Sequence, residues 1–314
     1  MFCSIRWSDD PTTIRKETFQ KVNKTNLLQS YAYGLAMLHL NRQKPRYGLI
    51  EIDGKQAGFI QALENKALNG LLQAVILDRG PLWFDGYGDF EHFEAFLNAV
   101  RDHYPKRLGR AIRFIPEIEP TEQAEETLKK QGFKKKSEEY QTLMIDLAQT
   151  PETLRENLKK NWRGSLKKAE KADLKIDWDN QGLHLSWLMK AYDSDKKTKG
   201  YDGPSVELLE TLAKYFVPEN GLLIGRALYE ERPVGAILIF CHGRGATYQI
   251  GWSSHEGRKY GAHNKLLWDA ILLLKARGLT AFDLGGVNDT EAQNVKKFKE
   301  GMGGTLLSLP GIYT

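Results

Sequence analysis

Apolar runs of strand length alternate along this chain with segments of helical spacing, and the alternation recurs. Residues 47–52 and 55–63 read as two strands joined at Asp53-Gly54, a dipeptide that accepts the positive φ angles of a tight hairpin. A third apolar run over 72–77 stops at Asp78-Arg79-Gly80-Pro81. Phe90, Phe93, Phe96, Leu97 and Val100 then share one face of a helix predicted over 90–101. A short strand over 111–115, a helix over 121–131 stopped by Gly132 and a strand over 140–146 follow. Thr150-Pro151-Glu152 opens a helix rich in Lys, Arg and Asn. Thr150 is its N-cap, and Pro151 sits where a missing N–H costs nothing. The spacing predicts that this helix runs to Lys171 with a break near Trp162 or Gly164.

The order then begins again. Helices over 186–197 and 205–216 precede a strand pair, 221–230 and 233–242, that turns at residues 230–232. Next come a strand over 245–253 and an amphipathic helix over 262–275, with Leu266, Leu267, Ala270, Ile271 and Leu274 inward. A short strand over 281–284 ends in Gly285-Gly286. Alternating strands and helices predict an α/β or α+β class. The repeated order of elements, which is not a repeat of sequence, predicts two domains, 1–150 and 151–314.

Composition narrows this picture. A chain of 314 residues, 41% hydrophobic and 11% aromatic, has material for two cores. Cys3 and Cys241 are far apart and lack metal spacing, so no disulfide framework is expected and a reducing, cytoplasmic setting is. The opening MFCSIRWSDD turns acidic before an apolar run develops, unlike a signal peptide. No stretch reaches the roughly 20 apolar residues that span a bilayer. The net charge of +5 is modest, but it is unevenly spread. Lys129, Lys130, Lys134, Lys135 and Lys136 crowd one stretch; Lys159, Lys160, Arg163, Lys167, Lys168 and Lys171 crowd another. Such runs serve either as solvated faces or as docking sites for phosphate-rich partners.

Candidate chemistry gathers at strand ends. Residues 253–263, SSHEGRKYGAH, predict a strand end, a crossing loop with Gly257 and Gly261, and a helix start. Free N–H groups there, beside Arg258 and Lys259, suit a phosphate or pyrophosphate; the same residues also suit an ordinary turn. Residues 283–288, DLGGVN, and 295–304, VKKFKEGMGG, put paired glycines after a strand, then Phe298 between Lys297 and Lys299. A lysine against such backbone neutralises a phosphate or carboxylate, or only helps to turn the chain. Asp283 is a candidate proton acceptor or a turn cap, and Tyr248 a cleft hydroxyl or a core-edge ring. Asn288 opens a polar loop as a candidate substrate contact. His255 and His263 have no nucleophile at a diagnostic spacing, and no GxSxG, HExxH or paired CxxC occurs. Arg79 offers a fork of donors to a carboxylate or phosphate, or is a surface arginine in a turn.

Taken in order, several of these segments resemble the Fem family of peptidoglycan-bridge aminoacyltransferases. They are residues 26–34, Arg79-Gly80-Pro81, 161–169 (NWRGSLKKA), 251–261, Asp283-Leu284-Gly285-Gly286 and Phe298-Lys299-Glu300-Gly301-Met302-Gly303. Where the family has a tryptophan, this chain offers Tyr31 or Tyr33. The resemblance implies two tandem GNAT-like domains and transfer of an amino acid from aminoacyl-tRNA to the amine of a peptidoglycan precursor stem peptide. No tightly bound cofactor is implied. The implied partners are a muramyl-pentapeptide or lipid-linked precursor, tRNA and transient contact with the inner membrane surface, and not DNA.

By the same resemblance Arg163 and Lys299 would contact the acceptor's phosphates, while Arg79 and Tyr248 are further site residues. A related branch takes acyl-CoA as donor for a sugar, peptide or small amine. There Arg258, Lys259 and Gly261 would form the pyrophosphate turn, in an imperfect RxxGxH. The chain departs from several family members in having no heptad run for a coiled-coil arm beside Gly200-Tyr201-Asp202-Gly203, which weakens the case for tRNA contact. A third reading, an RNA-binding module without catalysis, would use the Lys-rich helix 155–171.

Overall fold

The computed structural model describes residues 1–10, 16–22, 24–287 and 293–314, and divides them into two compact units. The first is Met1–Gln141 with Ser308–Thr314, and the second is Thr142–Leu307. The units therefore differ from a simple halving at 150. Residues from 142 onward join the second sheet, and the chain returns to the first unit after 307. There Phe114 and Tyr313 exchange N–H···O bonds of 2.9 and 2.8 Å.

The first unit is built on strands β1 (Cys3–Ser8), β2 (Lys44–Ile52), β3 (Lys55–Ala67), β4 (Leu72–Gly80), β5 (Leu82–Trp83) and β6 (Arg110–Pro116). Its helices are α1 (Lys16–Gln20), α2 (Tyr31–Asn41), α3 (Phe90–His103) and α4 (Glu122–Lys130). The sheet runs β1-β2-β3-β4-β6, with β5 on β3. Asp53 and Gly54 take φ of 48° and 78°, which closes the β2–β3 hairpin as their residue types require. Asp89 caps α3, its carboxylate accepting from His92 N, and Phe93, Phe96, Leu97 and Val100 bury against Ile50, Ile60, Leu77 and Phe114. β4 and β6 are parallel and stay paired to the end, from Gln73↔Arg110 through Asp78↔Ile115 to Gly80↔Pro116.

The second unit contains the strands β7 (Tyr140–Asp146, from residue 142), β8 (Lys175–Asp179), β9 (Leu222–Tyr229), β10 (Arg232–His242), β11 (Gly245–Ser253), β12 (Ala281–Gly286) and β13 (Thr305–Leu309, to residue 307). Its helices are α5 (Pro151–Asn157), α6 (Lys160–Lys171), α7 (Leu185–Lys199), α8 (Val206–Phe216), α9 (His255–Tyr260), α10 (Ala262–Ala276) and α11 (Gln293–Glu300). The sheet order is β13-β7-β12-β11-β10-β9-β8. Here the parallel pair does not close. β11 and β12 are in register only from Gly245↔Ala281 to Thr247↔Asp283, while β11 continues along β10 as far as Gly235↔Ser253. A register shift in the β10–β11 ladder, between Leu238 and Ile239, sits where the divergence begins. The result is a wedge between two neighbouring strands.

Two local expectations are corrected. The basic helix breaks at Leu158-Lys159, not near Trp162 or Gly164: Leu158 is extended and buried, and Lys159 N donates to Gly301 O at 2.9 Å. Residues 255–260 form α9 instead of a loop, because the Ser254 hydroxyl caps Gly257 N at 3.0 Å. α7 and α8, flanking Gly200, have 15 and 11 residues. Cys3 and Cys241 are free thiols, and among the described residues no helix is long and apolar enough to cross a membrane.

Gly164 lies within α6 with open space where a Cβ would stand. Gly164→Ala should therefore stabilise the protein by about 0.5–1 kcal/mol, read as a higher urea midpoint at unchanged slope.

Candidate active site in the wedge of the second sheet

A cavity of ≈ 290 Å³ opens where β11 and β12 part. Tyr248 and Gly251 of β11, His263 and Leu267 of α10, and Phe298 and Lys299 of α11 line it, with further apolar walls from Leu284, Val295 and Met302. The site is thus assembled chiefly from β11, the first two turns of α10, and α11.

Lys299 is 9% exposed, and its Nζ donates to Gly286 O at 2.9 Å. Gly285 has φ of 78°, which glycine adopts without strain, and the turn it makes presents Gly286 O to the ammonium. Burial pulls the lysine down to about 8, and the Asp283 carboxylate partly opposes that fall. Asp283 is 4% exposed; its Oδ1 accepts from Gly285 N at 2.8 Å and from the Thr142 hydroxyl. It shapes the turn beneath the lysine, as the turn cap of its two sequence readings would, and is not among the residues that line the cavity.

Tyr248 Oη and His263 Nε2 are 3.0 Å apart. Burial raises the phenol and lowers His263 to about 4, so the imidazole is neutral at pH 7. His263 meets the Phe298 ring edge-on at 5.7 Å, and Phe298 in turn lies 6.0 Å from Trp162. A Cβ on Gly251 would fall 2.1 Å from His263 Cε1 and 2.4 Å from Tyr248 Oη. Glycine is what allows that pair to lie against β11.

The remaining candidates are placed elsewhere. Arg163 projects from α6 with Nη1 on Glu156 O at 3.3 Å, outside the cavity lining. His255, Arg258 and Lys259 are exposed on α9, and Arg258 Nη1 folds back onto Ser253 O at 2.7 Å. Gly261, Ala262 and Asn264 are buried; a Cβ on Gly261 would stand 2.9 Å from Ser165 O and 3.4 Å from Ala169 Cβ of α6. At Gly261 the start of α10 is therefore packed against α6, while His263 of the same turn faces the cavity. Asn288 lies outside the described residues.

Arg79 belongs to the first unit and is 5% exposed. Its Nη2 donates to Glu117 Oε1 at 2.9 Å, its Nε to Oε2 of the same carboxylate, and its guanidinium covers the Tyr140 ring. The fork expected to face a substrate is engaged inside the protein.

Sequence reading missed Thr142, which lies 141 residues before the carboxylate it touches, and the apolar wall of Leu267 and Met302. Leu267 carried a signal, but one shared with every inward residue of α10. The Tyr248–His263 contact joins a strand residue to a helix residue 15 positions on, a spacing with no periodic signature.

Residues 155–299 match the family model described as an acetyltransferase (GNAT) domain. The fold is two tandem GNAT-like domains. The chain is similar to the crystal structure of FemX, with a TM-score of 0.80 at 14% identity over 98% of this chain and 96% of that one. It is also similar to L-PGS from Bacillus licheniformis, with a TM-score of 0.54 at 16% identity over 97% and 91% of the two chains. A tandem GNAT protein from the clavulanic acid biosynthesis pathway aligns with a TM-score of 0.50 at 9% identity over 99% and 97%. At these identities the likeness is one of fold. No curated protein sequence matches the chain. The matched domain covers the open wedge and Lys299, and it is of the acyl-transferring kind.

Proposed function

We propose that the chain is an aminoacyltransferase that moves an amino acid from aminoacyl-tRNA to the amine of a peptidoglycan precursor stem peptide. The observation that carries this reading is the Lys299 ammonium, held on Gly286 O at the parted ends of β11 and β12 and facing an apolar cavity. An ester carbonyl entering the wedge would find Nζ–H donors where negative charge develops. Among the described lining residues there is no Ser, Thr or Cys, which favours direct attack over a covalent enzyme intermediate. The acceptor nitrogen bonds to the carbonyl carbon and the ester C–O bond breaks. The amine proton passes to the departing ribose oxygen.

Two features support an RNA-borne donor over acyl-CoA. The packing of α6 on Gly261 crowds the start of α10, where the pyrophosphate of acyl-CoA would sit. The outward face of α6 exposes Lys160, Lys167, Lys168 and Lys171, a row suited to a phosphate backbone. Likenesses of fold to FemX and to L-PGS agree with a transferase of this kind.

Incubation with charged tRNA and a muramyl-pentapeptide precursor, followed by mass spectrometry, should show a precursor heavier by one aminoacyl residue. An unchanged precursor, together with release of free thiol from acyl-CoA in the presence of an acceptor, would replace this reading with the CoA-dependent one.

A further inference from the structure

Four leucines stand in solvent at one end of the first sheet. Leu68 and Leu71, in the β3–β4 connection, are 67% and 69% exposed; Leu72 opens β4 at 47%, and Leu108, just before β6, is 100% exposed. β3 is antiparallel to β4 and β4 is parallel to β6, so the end of β3 and the starts of β4 and β6 coincide. Single exposed leucines are ordinary, but a group on adjoining loops makes an apolar patch.

The patch is a fixed one. Arg107 ties the two loops together, with Nη2 on Gly70 O at 2.8 Å and Nη1 on Leu71 O at 2.9 Å, and Gln73 N donates to Gly109 O at 2.8 Å. Gly109 has φ of 80°, and a Cβ there would collide with Leu71 O at 2.4 Å, so the loops meet backbone to backbone. Its surroundings are cationic. Residues 64–73 and 105–110 contain Lys66, Lys106, Arg107 and Arg110. The one carboxylate in those segments, Glu64, is 3% exposed and bound to the Tyr104 hydroxyl at 2.7 Å and to the Lys66 ammonium at 2.9 Å, which leaves Lys106, Arg107 and Arg110 as the cations that no carboxylate in those segments neutralises.

We propose that this end of the first unit docks on an anionic lipid bilayer. Leu68, Leu71, Leu72 and Leu108 enter the boundary between headgroups and acyl chains, and the surrounding cations meet the lipid phosphates. An apolar cluster ringed by positive charge fits that partner better than a neutral surface, which would leave the cations uncompensated. The inference stands on the first unit alone and is independent of the acyl-transfer reading.

Sedimentation of the full chain with phosphatidylcholine vesicles, with and without phosphatidylglycerol, tests it. Binding should require the anionic lipid. Lys106→Gln should weaken it by roughly fivefold at low salt. Leu71→Ser with Leu108→Ser should weaken it on the order of tenfold at any salt. The Lys106 variant and the leucine double variant alter exposed side chains and should keep the wild-type melting temperature. The proposal is overturned if the wild type stays in the supernatant, or if it sediments equally with both vesicle types. It is overturned too if the leucine variant binds like the wild type. Self-association of the wild type that the leucine variant abolishes, without vesicle binding, would assign the patch to a second copy of the chain.

Discussion

Replacing Lys299 with methionine should remove most of the transferase activity while making the folded protein more stable at pH 7. The activity loss follows from the site: Nζ is the cationic donor of the cavity, and removal of one such preorganised donor costs about 10²–10³ in kcat. The stability gain follows from burial. Folding lowers the lysine from its ordinary 10.5 to about 8, so the native state holds the charged form at a cost. Methionine keeps the length, removes the charge and forfeits one hydrogen bond to Gly286 O. The net gain is roughly 2 kcal/mol, and urea denaturation would read it.

The pH dependence has a definite sign. Between about 8 and 10.5 the unfolded chain keeps a proton that the native state has shed, so wild-type stability rises through that window. The variant lacks the titration, and its advantage should be full below pH 8 and gone by about 10.5. Wild-type activity should fall on the alkaline side of the same native value, as the ammonium is lost. A methionine variant with wild-type turnover would remove Lys299 from the chemistry altogether.

Gly257→Ala should be among the most damaging single methyl additions in the second unit. A Cβ at this position would stand 2.0 Å from Val234 O and 2.9 Å from Ser253 Oγ. The nearer neighbour is backbone of β10, a central strand, so no rotamer change relieves the overlap. α9 must lift off the sheet, and the cap from Ser254 goes with it. A loss of roughly 3 kcal/mol or more is expected, measured as the drop in urea midpoint. Gly164→Ala, the same change in open space, is the natural control. Equal midpoints for the two variants would contradict the packing described for α9.

These two positions also illustrate what could be read from residue order. Period and punctuation sufficed where a segment buries one face on its own sheet. α3 and α10 were foreseen within two residues at either end because their apolar residues repeat at helical spacing. The β2–β3 hairpin was foreseen because Asp53-Gly54 suits positive φ. β8 and β13 were not foreseen, being short and only partly buried, with little alternation to detect. α9 was hidden by Gly257 within it and Gly261 at its end, which signalled a loop; Gly257 is there for contact with Val234, a requirement set by tertiary structure.

Site residues were legible by type more than by duty. Lys299 beside Gly285-Gly286 was expected to meet glycine-rich backbone, and it does. Arg79 was chosen for its donors, but the acceptor that occupies them, Glu117, lies 38 residues away on no shared pattern. The packing on Gly261 comes from a helix almost a hundred residues earlier, so the same RKYGAH letters that suggest an anion seat cannot reveal that it is crowded.

The return of Ser308–Thr314 to the first unit has a mechanical meaning. β1 and the Phe114–Tyr313 pairing place both anchor points of the described chain in that unit, with the second unit spliced between them. A force applied across residues 3 and 313 would load the first unit directly and leave the second slack until Tyr313 peels away. In an optical-trap extension the first event should therefore be a short one, the release of residues 308–313, and only then would the domain with the open wedge feel tension.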